Sequence, residues 1–179
     1  PNDHVMANQA VVDWLACQYD WNISADWIVW TPGVVPAFNV ACKAVCQPGD
    51  KVLIQTPNYP PLIAAPKLND LVKVDIGTVE VDGRLTIDFD ELEKQATDPA
   101  CKLFIMCNPM NPVGTVLTSL ELQRIADICM SNNVTLCSDE IHCDIILDEN
   151  AKHIPAGKLA GFKGQAITLM AASKTFNVA

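Results

Sequence analysis

Lys102-Leu103-Phe104-Ile105-Met106-Cys107-Asn108-Pro109-Met110-Asn111-Pro112-Val113-Gly114 is the stretch whose start and stop decide the fold. Leu103 to Cys107 is an unbroken apolar run. It is too short for a helix and lacks the alternation of a half-exposed strand, so it predicts a strand covered on both faces. Two Asn-Pro steps and Gly114 then stop it abruptly. Downstream, Thr118 and Glu121 have the spacing of a capping box, and Leu122, Ile125, Ala126 and Cys129 share one face of the helix that should follow. Val134 to Cys137 predicts another strand, and Ile167 to Met170 the last one.

Upstream the same alternation holds. Lys51 to Gln55 reads as a strand, residues 60–68 as a short helix and Leu71 to Asp75 as a strand. Asp82-Gly83 marks a turn or hairpin within 78–87, and Asp88 with Glu91 starts a capped helix to about Ala96. Further out, residues 3–18 predict a helix in which Met6, Val12 and Leu15 are apolar among polar neighbours, and Trp27-Ile28-Val29-Trp30 a buried strand. Pro36 should open a helix to about Cys46, stopped by Pro48-Gly49. Strands separated by helices imply an α/β fold: one mostly parallel sheet with helices on both faces and right-handed crossovers.

Composition narrows the function classes. Half of the 179 residues are hydrophobic and 18% are charged, which excludes a disordered chain. A formal net charge of −9 argues against nucleic acid or an anionic membrane as partner. The longest uncharged stretch, Leu103 to Leu120, is broken by Pro109, Pro112 and Gly114, so no membrane span is expected. The eight cysteines form no CxxC pair and mostly sit among aliphatic residues, as small buried hydrophobes do. This predicts neither a disulfide framework nor a zinc site, and a reducing, cytoplasmic setting. The sequence begins with Pro1 and not with Met, so it is expected to start inside a longer chain.

In a parallel sheet, ligands bind beyond the carboxyl ends of the strands. Thr31-Pro32-Gly33-Val34-Val35 leads into a helix whose first amides could face an anion, or it is an ordinary turn. Thr56-Pro57-Asn58-Tyr59-Pro60-Pro61 holds Tyr59 stiffly, either to stack on a flat ring or merely to pack. Asn111 could donate to a ligand oxygen or make an Asx turn. Ser138-Asp139-Glu140-Ile141-His142-Cys143-Asp144 groups acids that need solvent, a metal or a cation, or that start a helix. Lys174, after the last strand, is a snorkelling surface residue or a placed amine. Together, at one sheet edge, these are the requirements of a phosphorylated pyridine aldehyde: phosphate, ring face, phenolic oxygen, ring nitrogen and imine carbon.

The runs NPMNPVG (108–114), SDEIHCD (138–144) and SKTFN (173–177), in this order, resemble the fold-type-I aminotransferase superfamily. WIVWTPGVVPA, DKVLIQTPNYPP, SDEIHCD and ASKTFN look like its C–S lyase branch, the MalY/PatB-like cystathionine β-lyases. Ordinary aminotransferases usually have Tyr where this chain has His142. The resemblance implies pyridoxal 5′-phosphate (PLP) as cofactor. Backbone amides at Gly33, Val34 and Val35 would hold its phosphate, Tyr59 would stack on the ring, and Asn111 would meet the phenolic oxygen. Asp139 would pair with the ring nitrogen, and His142 would lie beside the cofactor near that same oxygen. Lys174 would be the Schiff-base lysine, with Ser173 beside it. The superfamily often has a phosphate-binding Ser or Thr where this chain has Ala171.

The resemblance further implies that residues 1–179 are part of a large PLP-binding domain, with a C-terminal small domain beyond Ala179. The reaction implied is β-elimination from cystathionine or cysteine S-conjugates, small amino-acid substrates, giving a thiol, pyruvate and ammonia. An aminotransferase is the alternative within the superfamily, and a catalytically incomplete fragment or non-enzymatic binding module the alternative outside it. The superfamily pattern also implies a homodimer.

Overall fold

The computed structural model describes residues 4–159, 162 and 164–178. The chain divides into two compact units, one ending at Pro32 and one starting at Gly33.

The first unit is built on α1 (Val5–Tyr19), which ends on Asp20 in the left-handed conformation. A single 3-10 turn, Ala25–Trp27, follows, with the Ser24 hydroxyl accepting from the Asp26 N–H. The indole N–H of Trp30 donates to Asn8 Oδ1 at 2.6 Å, fastening the stretch after the turn to the helix. One expectation fails here. Trp27-Ile28-Val29-Trp30 is no buried strand: it pairs with no strand among the described residues, and Trp27, Val29 and Trp30 are 68%, 80% and 50% exposed. A four-residue apolar run has no periodicity to separate a strand from an irregular segment, and a strand needs a partner for its backbone groups. Met6 is likewise exposed, and Leu15 is the buried residue of α1.

The second unit runs through α2 (Val34–Val45), β1 (Lys51–Gln55), α3 (Pro60–Leu68) and β2 (Val72–Ile76), then the hairpin β3 (Thr78–Val81) and β4 (Arg84–Ile87). It continues through α4 (Phe89–Ala96), β5 (Cys101–Cys107), α5 (Ser119–Ser131), β6 (Thr135–Asp139), β7 (Ala166–Leu169) and the short α6 (Ala172–Thr175). The main sheet has the order β2-β1-β5-β6-β7 with every pairing parallel, and the hairpin stands apart as its own two-stranded sheet. The expected α/β architecture is therefore present. α2 begins at Val34, two residues before Pro36. β6 runs two residues past Cys137, so Asp139 is its last residue, in register with Cys107 on one side and Leu169 on the other.

Strand alternation splits the core in two. Leu53, Phe104, Met106 and Leu136 pack against α4 and α5 through Leu92, Leu122 and Ile125. Val52, Ile54, Ile105 and Cys137 pack on the other face against Phe38 and Cys42 of α2 and Leu62 of α3. Seven of the eight cysteines are buried. Burial pushes the thiols of Cys107 and Cys129 up to about 12, so they stay protonated and inert.

One polar knot joins the hairpin to α5. Thr118 and Glu121 form a full capping box, and Arg84 forks onto both oxygens of the same carboxylate at 2.6 and 2.9 Å. The Thr86 hydroxyl also donates to it. Burial opposes ionisation of Glu121, but the donors from Arg84, Thr86 and Thr118 outweigh it and hold the carboxyl at about 2. A depressed carboxyl stabilises the fold above its unfolded value and ceases to as pH falls through the folded one. Glu121→Gln should therefore lower unfolding free energy by roughly 1–3 kcal/mol at neutral pH. The deficit should shrink between pH 4.5 and about 2. Denaturant titrations of both proteins across that range check it; a deficit that does not change with pH would refute the charge-based account.

Candidate cofactor-binding site

The order of the sheet locates a crevice. From β1 the chain turns outward to β2, and from β5 it turns the other way to β6, so the winding reverses between the carboxyl ends of β1 and β5. Gln55, fully buried at the end of β1, bridges this point: its Oε1 accepts the Cys107 N–H at 3.0 Å. Tyr59 and Asn111 lie on the loops that leave these two strands.

α2 runs back along the sheet to the start of β1 and is about as long as the strands, roughly 18 Å. Its N-terminus therefore reaches the same carboxyl edge. Gly33 caps it with φ +120°, a conformation L side chains rarely adopt. The first-turn amides at Val34 and Val35 have no acceptor within their helix. Among the described residues no strand precedes Gly33, contrary to the sequence expectation, and the helix starts two residues before the expected Pro36.

Tyr59 caps α3 from the loop that contains the cis Thr56-Pro57 bond, its N–H donating to Asn58 Oδ1 at 2.7 Å. Its side chain is 43% exposed, so packing in the core is not its role. In the next loop, which has cis bonds at Asn108-Pro109 and Asn111-Pro112, the two asparagines divide the work. Asn108 is fully buried and structural: its N–H donates to the Asp139 carbonyl at 2.9 Å and its Oδ1 accepts from Leu117 at 3.0 Å. Asn111 sits half-buried at the surface of the same loop.

Asp139 shares its sheet face with Cys137, the face covered by α2. It is 4% exposed, and its carboxylate accepts the Ile141 N–H at 3.2 Å. Burial pushes its pKa up to about 6; the Ile141 hydrogen bond opposes the rise and the charge of Glu140 adds to it. His142 follows in a turn closed by the Ile145 N–H on its carbonyl at 2.9 Å. Its pKa is lowered by burial first and by the charge of Lys174 second, which keeps the imidazole neutral and places Lys174 within electrostatic reach. Lys174 is exposed and Ser173 half-buried on α6, which the Thr175 hydroxyl ties to Asp144 at 3.2 Å.

A helix N-terminus suits a phosphate, a presented aromatic ring a flat heterocycle, and a buried carboxylate with raised proton affinity a cationic ring nitrogen. These donors and acceptors fit PLP. The sequence pattern did not reveal Gln55, Asn108 or the partners of Glu140; a lone amide ending an apolar strand was the available signal for Gln55. Among the described residues, no cluster of His, Cys, Asp and Glu has metal-binding geometry, and no helix is long and apolar enough to cross a membrane.

A doubly wound α/β sheet with this edge is the architecture of the PLP enzymes of fold type I. Cystalysin from Treponema denticola, whose crystal structure contains pyridoxal 5′-phosphate, superposes with a TM-score of 0.91 at 39% identity, over 96% of this chain and 43% of that one. The family model for aminotransferases of class I and II matches residues 1–179, and the chain belongs to that family. It is 37% identical over 171 residues to cystathionine beta-lyase PatB of Bacillus subtilis, covering 95% of this chain and 44% of PatB. It is 30% identical over 177 residues to Protein MalY of Escherichia coli, covering 99% of this chain and 44% of MalY. A probable N-succinyldiaminopimelate aminotransferase of Mycobacterium tuberculosis is 34% identical over 154 residues, 82% of this chain and 36% of that protein. The chain thus spans less than half the length of these relatives.

The environment of Asp139 makes a prediction about the cofactor-free protein. A carboxyl whose folded pKa is raised stabilises the fold below its unfolded value, and this is lost as pH rises through the folded one. For Asp139 that window runs from pH 3.8 to about 6. Asp139→Asn keeps an acceptor for Ile141 and removes the buried charge. It should raise stability at neutral pH by roughly 1–3 kcal/mol, with the gain fading towards pH 4. Thermal melts at several pH values decide, and a neutral-pH loss would contradict the burial argument.

Proposed function

We propose that this chain provides the cofactor-binding part of a PLP-dependent C–S β-lyase. The enzyme would convert cystathionine or other cysteine S-conjugates and water to a thiol, pyruvate and ammonia. The observation that carries the reading is the buried Asp139 carboxylate on the α2 face, at the edge that also bears Lys174. We read residues 1–179 as part of a large PLP-binding domain, in a cytoplasmic homodimer.

Bound here, PLP supplies an electron sink conjugated to the substrate amine. The first-turn amides at Gly33, Val34 and Val35 hold its phosphate, with Ser173 beside Lys174 at the opposite loop. Tyr59 stacks on the ring, and the Asn111 amide donates to the phenolic oxygen. Asp139 keeps the ring nitrogen protonated, which relieves the cost of its own buried charge. Lys174 would hold the group through its amine and, once free of it, would take the proton from the substrate Cα. Neutral His142 lies beside it and adds no second positive charge. Loss of the thiolate from Cβ would complete the elimination, and water would then release ammonia and pyruvate. The similarity to PatB supports the lyase. The similarity to the mycobacterial aminotransferase supports a second reading, in which the proton returns elsewhere and the amino group is transferred.

Borohydride reduction of the full-length holoenzyme should fix PLP to the peptide carrying Lys174, and Lys174→Ala should abolish the adduct; recovery on Lys152 or Lys158 would remove the assignment. Given cystathionine and no keto acid, the enzyme should release pyruvate and free thiol over many turnovers. Turnover that depends wholly on an added keto acid would make it an aminotransferase.

A further inference from the structure

Behind Asp139, on the opposite face of the sheet, lies a buried polar pair that the proposed reaction does not use. Glu140 is fully buried and His153 is 7% exposed. Glu140 Oε2 meets His153 Nε2 at 2.7 Å, and Glu140 Oε1 accepts the Ala156 N–H at 2.8 Å. The Glu140 backbone N–H donates to the carbonyl of Leu169, the last residue of β7, at 2.8 Å. Its carbonyl accepts the Cys143 N–H at 3.0 Å, closing the turn that carries His142. The segment gripped by the carboxylate is itself held to β7, where the Gly157 N–H donates to the Thr168 hydroxyl at 3.2 Å. One residue thus joins the ends of β6 and β7, the His142 turn and residues 153–157.

Stability alone does not call for such a pair, since a well-packed apolar residue serves a core as well as a buried ion pair. Its place in the chain suggests what it does instead. Glu140 is bonded directly to Asp139, and the peptide between them is held from both sides, by Asn108 on the Asp139 carbonyl at 2.9 Å and by Leu169 on the Glu140 N–H. Strand alternation sends the two side chains to opposite faces. With Glu140 anchored on the far face, the backbone of Asp139 cannot roll, and its carboxylate stays on the face of α2.

We propose that the Glu140–His153 pair is a positioning device: by locking the residue after Asp139, it holds the Asp139 carboxylate against the ring nitrogen of the cofactor. This rests on the PLP site proposed above. Glu140 and His153 touch neither cofactor nor substrate; they act through Asp139.

The test uses full-length holoenzyme reconstituted with PLP carrying an isotope label at the ring nitrogen, as wild type, Glu140→Gln, His153→Gln and the double variant. Glu140→Gln keeps the shape of the side chain and an acceptor for Ala156, so it should fold, and melting of the apoprotein verifies this. The wild-type nitrogen should resonate as protonated. In each variant part of the signal should move to the unprotonated position, and Cα-proton exchange should fall about tenfold or more with KM little changed. The double variant should be no worse than the worse single one, because the two side chains act as a unit. A cofactor analogue with carbon in place of the ring nitrogen should erase the differences between variants. Folded variants that hold PLP with a wild-type nitrogen signal and exchange rate would show the pair to be structural only, whatever their melting temperatures. If borohydride links no PLP to Lys174 in the wild type, the site reading falls and takes this inference with it; if it does and the variants are unchanged, the inference falls alone.

Discussion

Asp139 ends β6 with its carboxylate almost out of water, and that burial draws it towards a proton until a cation is supplied. The parallel sheet creates this condition. Asp139 is paired on both sides, to Cys107 and Leu169, and α2 covers its face. Because each strand of a parallel sheet points the same way, the loops bearing Tyr59, Asn111, His142 and Lys174 all emerge at the edge where this carboxylate lies. The cation it calls for and the groups that would hold the rest of the same ligand are gathered by one topological fact.

Glu121 shows what the protein does with a carboxylate whose role is structural. It too is largely withdrawn from water, yet Arg84, Thr86 and Thr118 surround it with donors and depress its pKa. Asp139 has a backbone N–H from Ile141 and the repulsion of Glu140, and its pKa rises. The chemistry of the two side chains is the same, and the number of donors facing each one decides the sign. A carboxylate left under-supplied at a ligand edge is a marker of function, while one fully supplied in a knot is a marker of stability.

The asparagines and acids of the edge loops follow the same division. Asn108 spends its backbone N–H on Asp139 and its side-chain oxygen on Leu117, which stiffens the loop that presents Asn111. Glu140 is saturated on the far face by His153 and Ala156, which leaves Asp139 as the acid on the near one. In each pair one member builds the frame, and its neighbour is the one proposed to face the cofactor.

Much of this was legible in the residues themselves. Apolar runs such as Leu103–Cys107, the Thr118–Glu121 box and the Asp82-Gly83 turn specify local structure through contacts a few residues apart, and those contacts survive in any fold. The motifs placed Gly33, Tyr59, Asn111, Asp139 and Lys174 at strand and helix ends for the same reason. Local pattern failed where the outcome depended on distant partners. Trp27–Trp30 looked like a strand, but a strand exists only if another one pairs with it. The Asp88–Glu91 cap is half a box, because the Glu91 side chain turns to Gln95 and Lys94. The junction of Glu140 with His153 has no sequence signature, and the lone amide that ends β1 does not say that it meets Cys107. The sequence by itself determined the strands and helices of the parallel sheet, to within a few residues at their ends. Only the tertiary structure decided which of those ends meet and which carboxylates keep their charge, because burial and donor count belong to the packed chain and not to any stretch of it.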